Sequence, residues 1–417
     1  MKQNPFLKKY ISLLLMLILC SFCLSGCYND RNMDQLAYVV ALGFDVGQNN
    51  RLKLSFQLSV PGGESSGGQS GGSSQSSQVV VKSIECSSIN SGINLMNSYI
   101  SKKISLSHCK VVVFSEEIAS QGLSEYIYTL INDVEVSPST NIVVSKSDAK
   151  SFLENAKPAV ENLSARYYEI APTSSEYTGY TADATLGEFF ASIDDTFSDP
   201  FAILGSINNP STHSTNSSGS SQERDVSHTA GETPITNNKT SIENMGLAVF
   251  SSDKFVGELN GIETICHLII LGKLRTCVIT IPSPFSESET IDLQVKIKKK
   301  TKSSVDLVNS SPFIHVKIDL KATILSMNQE HDYLKEENLS ILETYANSYL
   351  EENIAAYLYK TAKEFKSDIA GFGKKAVNKF LFWKDWEEYN WLSNYQNAFF
   401  DVDVTTNIRS GRLLLKT

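Results

Sequence analysis

The spacing of apolar and polar positions predicts alternating strands and helices in the first half of the chain. Strand candidates at 36–46 and 51–60 flank a turn at 47–50, which joins them as a hairpin. Further strands are predicted at 78–84, 110–114 and 141–145. One helix is predicted at 89–100, and two others are predicted to begin at Ser115 and at about Ser147. Strand–helix–strand order predicts parallel pairs with right-handed crossovers. We therefore expect a mixed sheet covered by helices.

The second half is richer in strands and predicts an α+β fold. The predicted strands are a hairpin of 246–250 with 255–259, then 268–271, 277–281, 291–299, 313–325 and a last strand through Val402, Val404 and Ile408. Apolar and polar residues alternate over 313–325, so one face of that strand is expected to be wet. A long helix is predicted at about 338–367, where an apolar stripe recurs at helical spacing.

Two low-complexity stretches mark the domain organisation. Residues 62–78 are mostly Gly and Ser, and residues 206–240 contain no aromatic residue, Leu or Met. Such segments bury too little to offset their ordering entropy. The first lies between two predicted strands and is interpreted as a flexible insert. The second is interpreted as a linker between an N-terminal α/β-type region, 27–205, and a C-terminal α+β region, 241–417.

The N-terminus has the pattern of an export signal. Three lysines precede an apolar run at 11–24, which is shorter than the about 20 residues that span a bilayer. Leu24, Ser25, Gly26 and Cys27 then resemble a bacterial lipobox. That resemblance implies cleavage of a lipoprotein signal peptide, 1–26, and lipid attachment at Cys27. An ordinary cleaved signal or a short membrane anchor is the alternative.

Charge constrains how such a protein is held at a membrane. The 417 residues carry a net charge of −9, and loss of residues 1–26 leaves 391 residues with −12. An acidic chain of this kind is not expected to bind nucleic acid, which requires a basic footprint. Anionic lipid would also repel it, so attachment is expected through acyl chains on Cys27, of which two or more make a stable anchor.

Nothing in the sequence predicts a metal site, a cofactor or a catalytic centre. The six histidines are scattered, and we find no H-E-x-x-H, P-loop, nucleophile elbow or dinucleotide fingerprint. The carboxylate pairs Asp194 with Asp195 and Glu287 with Glu289 are interpreted as solvated surface. Cys266 and Cys277 flank a possible turn, so they are either a cross-strand disulfide or free buried thiols, and the second is favoured.

Four segments resemble the Ger(x)C family, the lipoprotein C subunits of spore nutrient-germinant receptors. They are residues 26–31 with 35–45, residues 107–118, residues 246–264, and residues 366–373 followed by Trp383, Trp386 and Trp391. The proline that often precedes the C-terminal tryptophan in the family is absent. The resemblance implies three α+β domains and a non-enzymatic subunit on the outer face of the spore inner membrane. It also implies two partners, an integral-membrane A subunit and a transporter-like B subunit.

Several features keep two interpretations. Gly371 and Gly373 are a helix stop or a binding loop, with the stop favoured. The three tryptophans pack in the core or form a partner-binding patch, with packing favoured. The lysines between Lys296 and Lys302 lie on a solvated strand edge or contact anionic headgroups, with the edge favoured. For the whole protein, the alternative function is an exported solute-binding or envelope-acting lipoprotein.

Overall fold

The protein is an α+β molecule with two mixed sheets, as the sequence predicts. The computed structural model describes residues 9–10, 12–16 and 18, and all of 35–410 except 50, 60–78, 157–167, 169–173, 210–226, 236–239 and 327–334. The lipobox and Cys27 lie outside the described residues, as do the Gly/Ser insert and most of the predicted linker.

Nine strands build the larger sheet. They are β1 (Leu36–Val46), β2 (Leu52–Ser59), β3 (Val79–Cys86), β4 (Lys103–Ser105), β5 (Val111–Ser115), β6 (Asn141–Ser145), β7 (Phe201–Asn208), β8 (Ser241–Ser251) and β9 (Lys254–Leu259). Their order is β3-β2-β1-β5-β6-β7-β8-β9, with β4 beside the start of β1. Strands β1, β5, β6 and β7 are parallel, and the hairpins at both ends are antiparallel. The predicted parallel units and the leading hairpin are therefore present.

Helices cover both faces of this sheet. They are α1 (Ile89–Tyr99), α2 (Glu116–Gln121), α3 (Ser124–Ile131), α4 (Ala149–Asn155) and α6 (Leu186–Ile193). A single-turn helix, α5 (Ser175–Thr178), lies between α4 and α6 in the sequence. Helices α1, α2, α3 and α6 contribute to the core on one face, and α4 contributes Phe152 and Leu153 to the core on the other. The central strands are consequently apolar on both sides, which explains their continuous apolar runs.

The end of β1 and the start of α4 are fitted closely to each other. Asp45 accepts hydrogen bonds from the main-chain nitrogens of Ala149 at 2.6 Å and Lys150 at 3.0 Å, so its carboxylate caps the helix. A Cβ on Gly43 would lie 2.9 Å from Leu153 Cδ1 and 3.2 Å from Ala149 Cβ, so a larger residue would require the side chains of α4 to shift. The Ala-Leu-Gly-Phe-Asp segment thus has a packing role.

The smaller sheet has the order β10-β11-β12-β13 and packs against a helical layer. Its strands are β10 (Cys277–Ser283), β11 (Ser286–Val308), β12 (Ser311–Ser326) and β13 (Phe399–Ser410), of which β12 and β13 are parallel. Its helices are α7 (Gly261–Leu271), α8 (Glu336–Tyr359), α9 (Gly373–Ala376), α10 (Trp383–Tyr389) and α11 (Trp391–Tyr395). The predicted alternation in 313–325 is confirmed, because Ile314, Val316, Ile318 and Leu320 are buried.

Helix α8 shields the outer edge of β13. Glu343, Asn347 and Glu351 recur every four residues on α8. Their side-chain oxygens accept hydrogen bonds from the main-chain nitrogens of β13 at 2.7–2.9 Å, in the pairs Ile408 with Glu343, Thr406 with Asn347 and Val404 with Glu351. Three N–H groups that would face solvent at a sheet edge are thereby satisfied.

The strand prediction for 268–271 is wrong, because these residues end α7. The helix begins at a capping box in which Asn260 and Glu263 bond each other's main chain. It ends at Gly272, whose φ of 69° is left-handed. The apolar run is long because the helix is buried nearly all round, so the helical period is hidden. Cys266, on this helix, and Cys277, on β10, are free buried thiols.

The strands on either side of the predicted linker pair with each other. Asn208 lies opposite Ser241 and Phe201 opposite Val249 in the antiparallel pair of β7 and β8. The larger sheet therefore takes its last two strands from beyond residue 240. The division of the chain into domains at 206–240, and into three domains overall, stays a prediction.

The long helix ends differently from the predicted stop at Gly371 and Gly373. Helix α8 is followed by a π-helical turn, Lys360–Phe365, which ends at Lys366 with a left-handed φ of 52°. Gly371 has a φ of 69° in the loop beyond. Gly373 begins α9, and its Cβ would lie 2.4 Å from the carbonyl oxygen of Phe197. The two glycines shape a buried loop rather than terminate the helix.

Candidate functional site

The segment after the long helix joins the two sheets. Ser367 and Asp368 are fully buried between the C-terminal helices and the larger sheet. The Ser367 hydroxyl donates to the carbonyl oxygen of Phe250 in β8 at 2.6 Å, and its main-chain nitrogen donates to Thr361 at 3.0 Å. Residues 366–373, which carry one of the family resemblances, are therefore the junction between the two halves of the protein.

A carboxylate pair lies at the centre of this junction. The main-chain nitrogen of Asp368 donates to Asp199 Oδ2 at 3.0 Å, and that of Asp199 donates to the carbonyl oxygen of Asp368 at 3.1 Å. Asp199 Oδ1 also accepts from the main chain of Ser252, at 2.8 Å, in the turn between β8 and β9. Three separate stretches of the chain thus meet at two aspartates.

The two oxygens of Asp368 have different surroundings. Oδ2 accepts hydrogen bonds from Trp391 Nε1 at 2.9 Å and from the main-chain nitrogen of Gly373 at 3.0 Å. Oδ1 is buried and has no hydrogen-bond partner among the described residues. Burial raises the pKa of Asp368 to about 7, with Asp199 adding to the rise and the Trp391 hydrogen bond opposing it. This carboxyl group consequently titrates near neutral pH.

A cleft of about 370 Å³ opens beside the junction. Phe189 and Phe201 form an apolar part of its wall, and Ser198 and Asp199 reach it from the junction. Lys273 and Lys374 also line it, and they pair with Glu188 at 3.7 Å and with Asp195 at 4.0 Å. The cleft offers apolar surface with charged groups at its side, which suits an apolar or amphipathic group of small size. The remaining lining residues are Ala184, Ala191, Ser192, Pro200, Leu271, Ile369, Ala370 and Gly371.

A buried histidine lies between α7 and α8. His267 Nδ1 and the hydroxyl of Tyr357 are 2.7 Å apart, and the ring of Phe201 meets the imidazole edge-on. Burial lowers the pKa of His267 to about 3. Its Nε2 has no hydrogen-bond partner among the described residues. The imidazole is therefore neutral at physiological pH and serves packing rather than proton transfer.

Two ion pairs near the surface connect the end of the long helical segment to the larger sheet and to α7. Lys360 Nζ lies 2.9 Å from Glu263 Oε2 and also donates to the carbonyl oxygen of Glu258 at 3.1 Å. The side chain of Glu258 in turn pairs with Lys146 at 2.9 Å. These contacts join the start of the π-helical turn to β9 and to the loop after β6. The charged groups of both ion pairs lie beside the junction and are partly exposed to solvent.

The tryptophans and the acidic pairs singled out in the sequence differ in their exposure. Trp386 and Trp391 are buried, as favoured, but Trp383 is exposed. Asp194 is exposed, whereas Asp195 is mostly buried and accepts from Phe197 and Ser198, so its interpretation as solvated surface is wrong. The side chain of Glu287 is outside the described part of the chain.

The lysine run lies where the sequence placed it, at an open strand edge. Beyond Val295, β11 no longer pairs with β10, and it pairs with β12 alone. Lys298, Lys299 and Lys300 are exposed there, and Lys299 lies 3.9 Å from Asp319. Charged side chains at such a position disfavour pairing with another strand.

The described residues contain neither a membrane-spanning helix nor a metal-binding cluster. No helix within them is both long enough and apolar enough to span a bilayer. No group of three or more His, Cys, Asp or Glu side chains in that same part of the chain is arranged to hold a metal ion.

The sequence analysis did not identify Asp199, Asp368 and His267 as buried polar residues of the site. Asp368 lies in a segment that the family resemblance had already marked, so its position was indicated without its role. Asp199 and His267 carry no local signal, because their hydrogen-bond partners lie 53 or more residues away in the sequence. Only the tertiary structure brings these groups together.

Two family models that match consecutive parts of the chain identify it as a spore germination protein. A family model described as "Spore germination protein N-terminal domain" matches residues 29–207, and one described as "Spore germination B3/ GerAC like, C-terminal" matches residues 245–411. The chain belongs to the Ger(x)C family, the C subunits of spore germinant receptors.

Curated relatives match over nearly the full length. Spore germination protein KC of Bacillus subtilis (strain 168) is 24% identical, covering 95% of both chains. Putative spore germination protein YfkR of the same organism is 22% identical, covering 99% of both. Spore germination protein GerQC of Bacillus cereus is 20% identical, covering 95% of this chain and 97% of that one.

A solved structure has the same fold. The crystal structure of the GerBC protein aligns with a TM-score of 0.51 at 16% identity, covering 88% of this chain and 96% of that chain. The predicted fold class, α+β with mixed sheets and covering helices, is confirmed.

Proposed function

We propose that this protein is the lipid-anchored C subunit of a nutrient germinant receptor. In this proposal, acyl chains on Cys27 hold it on the outer face of the spore inner membrane. There it contacts integral-membrane A and B subunits and is needed for receptor assembly and for triggering germination. One observation carries the proposal: both family domains match in order along the chain, and the first begins at residue 29, two residues after Cys27.

The junction supports a role that depends on a fixed shape. Asp199 and Asp368 connect the larger sheet to the C-terminal helices through main-chain hydrogen bonds, so surfaces from both halves keep a constant relative position. A subunit that contacts two different membrane proteins requires such an arrangement of surfaces. The acidic body, at −12 after loss of the signal, favours attachment by lipid over attraction to anionic headgroups.

The anchor is tested by Cys27→Ala in the native organism. Loss of the acyl chains is expected to release the protein from the spore membrane fraction and to abolish germination through its receptor. Cys23→Ala is the matched control, because Cys23 lies four residues before Cys27 but departs with residues 1–26. Full membrane retention of the Cys27→Ala protein would contradict acylation as its main attachment.

The subunit role is tested by co-purification. Detergent-solubilised spore membranes containing the tagged full chain are expected to yield the A and B subunits together with it. A solute-binding or envelope-acting lipoprotein would instead be recovered without a multi-pass partner, and its deletion would leave nutrient-triggered germination intact. If the tagged protein is purified without the A and B subunits, and the deletion strain germinates normally, the proposal is overturned.

A further inference from the structure

Three consecutive large apolar side chains are exposed at the tip of the C-terminal helical layer. Leu381, Phe382 and Trp383 are 92%, 70% and 53% exposed, and we refer to residues 381–383 as the apolar tip. They follow a 3₁₀ turn, Val377–Lys379, and lead into α10. Single exposed apolar residues are common on protein surfaces, but a contiguous group of this size marks an interaction site.

The apolar tip stands on an ordered base. Phe380, directly before it, packs against the ring of the buried Trp386, with centroids 5.5 Å apart. Trp383 donates from Nε1 to Glu387 at 2.7 Å and meets the ring of Phe197 edge-on. The tip is therefore held in place from behind, and its exposure is a property of the folded protein.

Lysines lie on both sides of the apolar tip. Lys379 precedes it and pairs with Asp306 at 2.8 Å, and Lys384 follows it with a side chain that is 82% exposed. Asp385, Glu387 and Glu388 follow the tip on α10, where Glu388 is 3.5 Å from Lys384. Lys374 also pairs with an acid from elsewhere in the chain, Asp195, at 4.0 Å. The segment 379–384 itself carries two lysines and no acid, in a chain whose net charge without residues 1–26 is −12.

We propose that the apolar tip inserts into the interfacial region of the lipid bilayer. Tryptophan and lysine together favour the membrane–water boundary, where the ring lies at headgroup level and the ammonium reaches phosphate. Tryptophan and phenylalanine are enriched in protein–protein interfaces as well, but lysine is depleted there, and the lysines at both ends of the tip therefore favour lipid over a protein partner. The inference rests on the proposed anchor at Cys27. Residues 28–35 span at most about 28 Å when extended, so an anchored body stays near the lipid surface.

The test uses quenching of tryptophan emission by lipids brominated on their acyl chains. The full acylated chain, purified from membranes, is reconstituted into vesicles of phosphatidylcholine and phosphatidylglycerol. Trp386 and Trp391 are buried and are expected to be insensitive to the quencher. Trp383 is expected to be quenched, and Trp383→Phe is expected to abolish at least three quarters of the quenching. Leu381→Ser with Phe382→Ser is expected to reduce it at least twofold while Trp383 remains.

A matched control separates insertion from mere nearness to the bilayer. Val134 is 100% exposed but lies between Asp133 and Glu135. In a Trp383→Phe background, Val134→Trp adds an exposed tryptophan flanked by acids, and it is expected to stay unquenched. A protein that floats with the vesicles but shows no quenching of Trp383, or equal quenching at 134, overturns the inference and leaves the anchor standing. A protein that does not float with the vesicles overturns both.

Discussion

Asp199 and Asp368 hydrogen-bond each other's main chain although 169 residues separate them. Asp199 comes just before β7 in the larger sheet, and Asp368 comes just after the π-helical turn. Because each residue both donates and accepts, neither segment can shift without breaking both hydrogen bonds. The energetic cost of burying the Asp368 carboxylate is therefore tied to the union of the two halves of the protein.

Asp368→Asn is expected to remove a pH dependence of stability. The folded-state pKa of Asp368 is about 7 against an ordinary 3.8, so the folded protein binds this proton more tightly than the unfolded chain does. Its contribution is complete below pH 3.8 and is lost as pH rises through 7. Relative to the variant, the wild type should lose about 3 kcal/mol of unfolding free energy between pH 5 and pH 8.

Urea unfolding across that pH range measures the difference. Asp306→Asn is the control, because the neighbouring Lys379 lowers the pKa of Asp306 and keeps it ionised throughout. Parallel stability curves for the wild type and Asp368→Asn would contradict the assignment of a near-neutral titration to Asp368.

Trp391→Phe is expected to destabilise the protein more than Trp386→Phe does. Both indoles are buried, but Trp391 donates to a carboxylate whereas Trp386 donates to the hydroxyl of Thr196 at 3.0 Å. Loss of a hydrogen bond to a charged group costs about 2 kcal/mol, against about 1 kcal/mol for a neutral one. Chemical denaturation at pH 8 should show this gap, and at pH 5 the gap should shrink as Asp368 protonates. A gap of the same size at both pH values would argue against a charged acceptor.

Gly257→Ala is expected to disrupt the contact between β9 and the π-helical turn. The added Cβ would lie 2.2 Å from the ring of Phe365, so the ring or the strand must move. Overpacking of this kind costs about 2 kcal/mol. Phe365→Leu frees space, so the double variant should be more stable than the sum of the two single changes predicts. Strict additivity in a double-mutant cycle, measured by thermal unfolding, would show that the clash is relieved elsewhere.

His267→Gln is expected to flatten the loss of stability in mild acid. The folded-state pKa of His267 is lowered from 6.5 to about 3, so the unfolded chain binds this proton first as the pH falls. Stability from this group is complete above pH 6.5 and is lost toward pH 3, by about 2 kcal/mol between pH 6.5 and pH 5. Tyr357→Phe retains the imidazole and should retain the slope, which calorimetry over this range can check.

Local sequence signals predicted many of the helix starts well. Ser88, directly before the predicted helix 89–100, accepts from the main-chain nitrogen of Ser91 at 3.2 Å. Ser115, where a helix was predicted to begin, accepts from the main-chain nitrogen of Ile118 at 3.4 Å. The wrong strand prediction at 268–271 also has a cause in the local sequence. The capping box at Asn260 and Glu263 was present in the sequence, but a helix buried on all sides has no polar face to reveal its period.

The junction could not be predicted in the same way. Asp368 was visible only as part of a family segment, and nothing near Asp199 in sequence distinguishes it from a solvated aspartate. Its burial depends on Ser252 and Asp368, which approach from other parts of the chain. Local patterns specify caps and strand periodicity, whereas a buried polar pair is specified by topology.

Under the proposed export of the chain, the pairing of β7 with β8 sets an order on folding. A chain that crosses a membrane N-terminus first presents residues 36–208 before the two strands that complete their sheet. Until residue 251 has crossed, β7 is an open edge with unpaired main-chain groups, and Asp199 lacks Asp368 as a partner until residue 368 follows. Anchoring at Cys27, as proposed, would hold this incomplete intermediate at the membrane surface until the completing strands arrive.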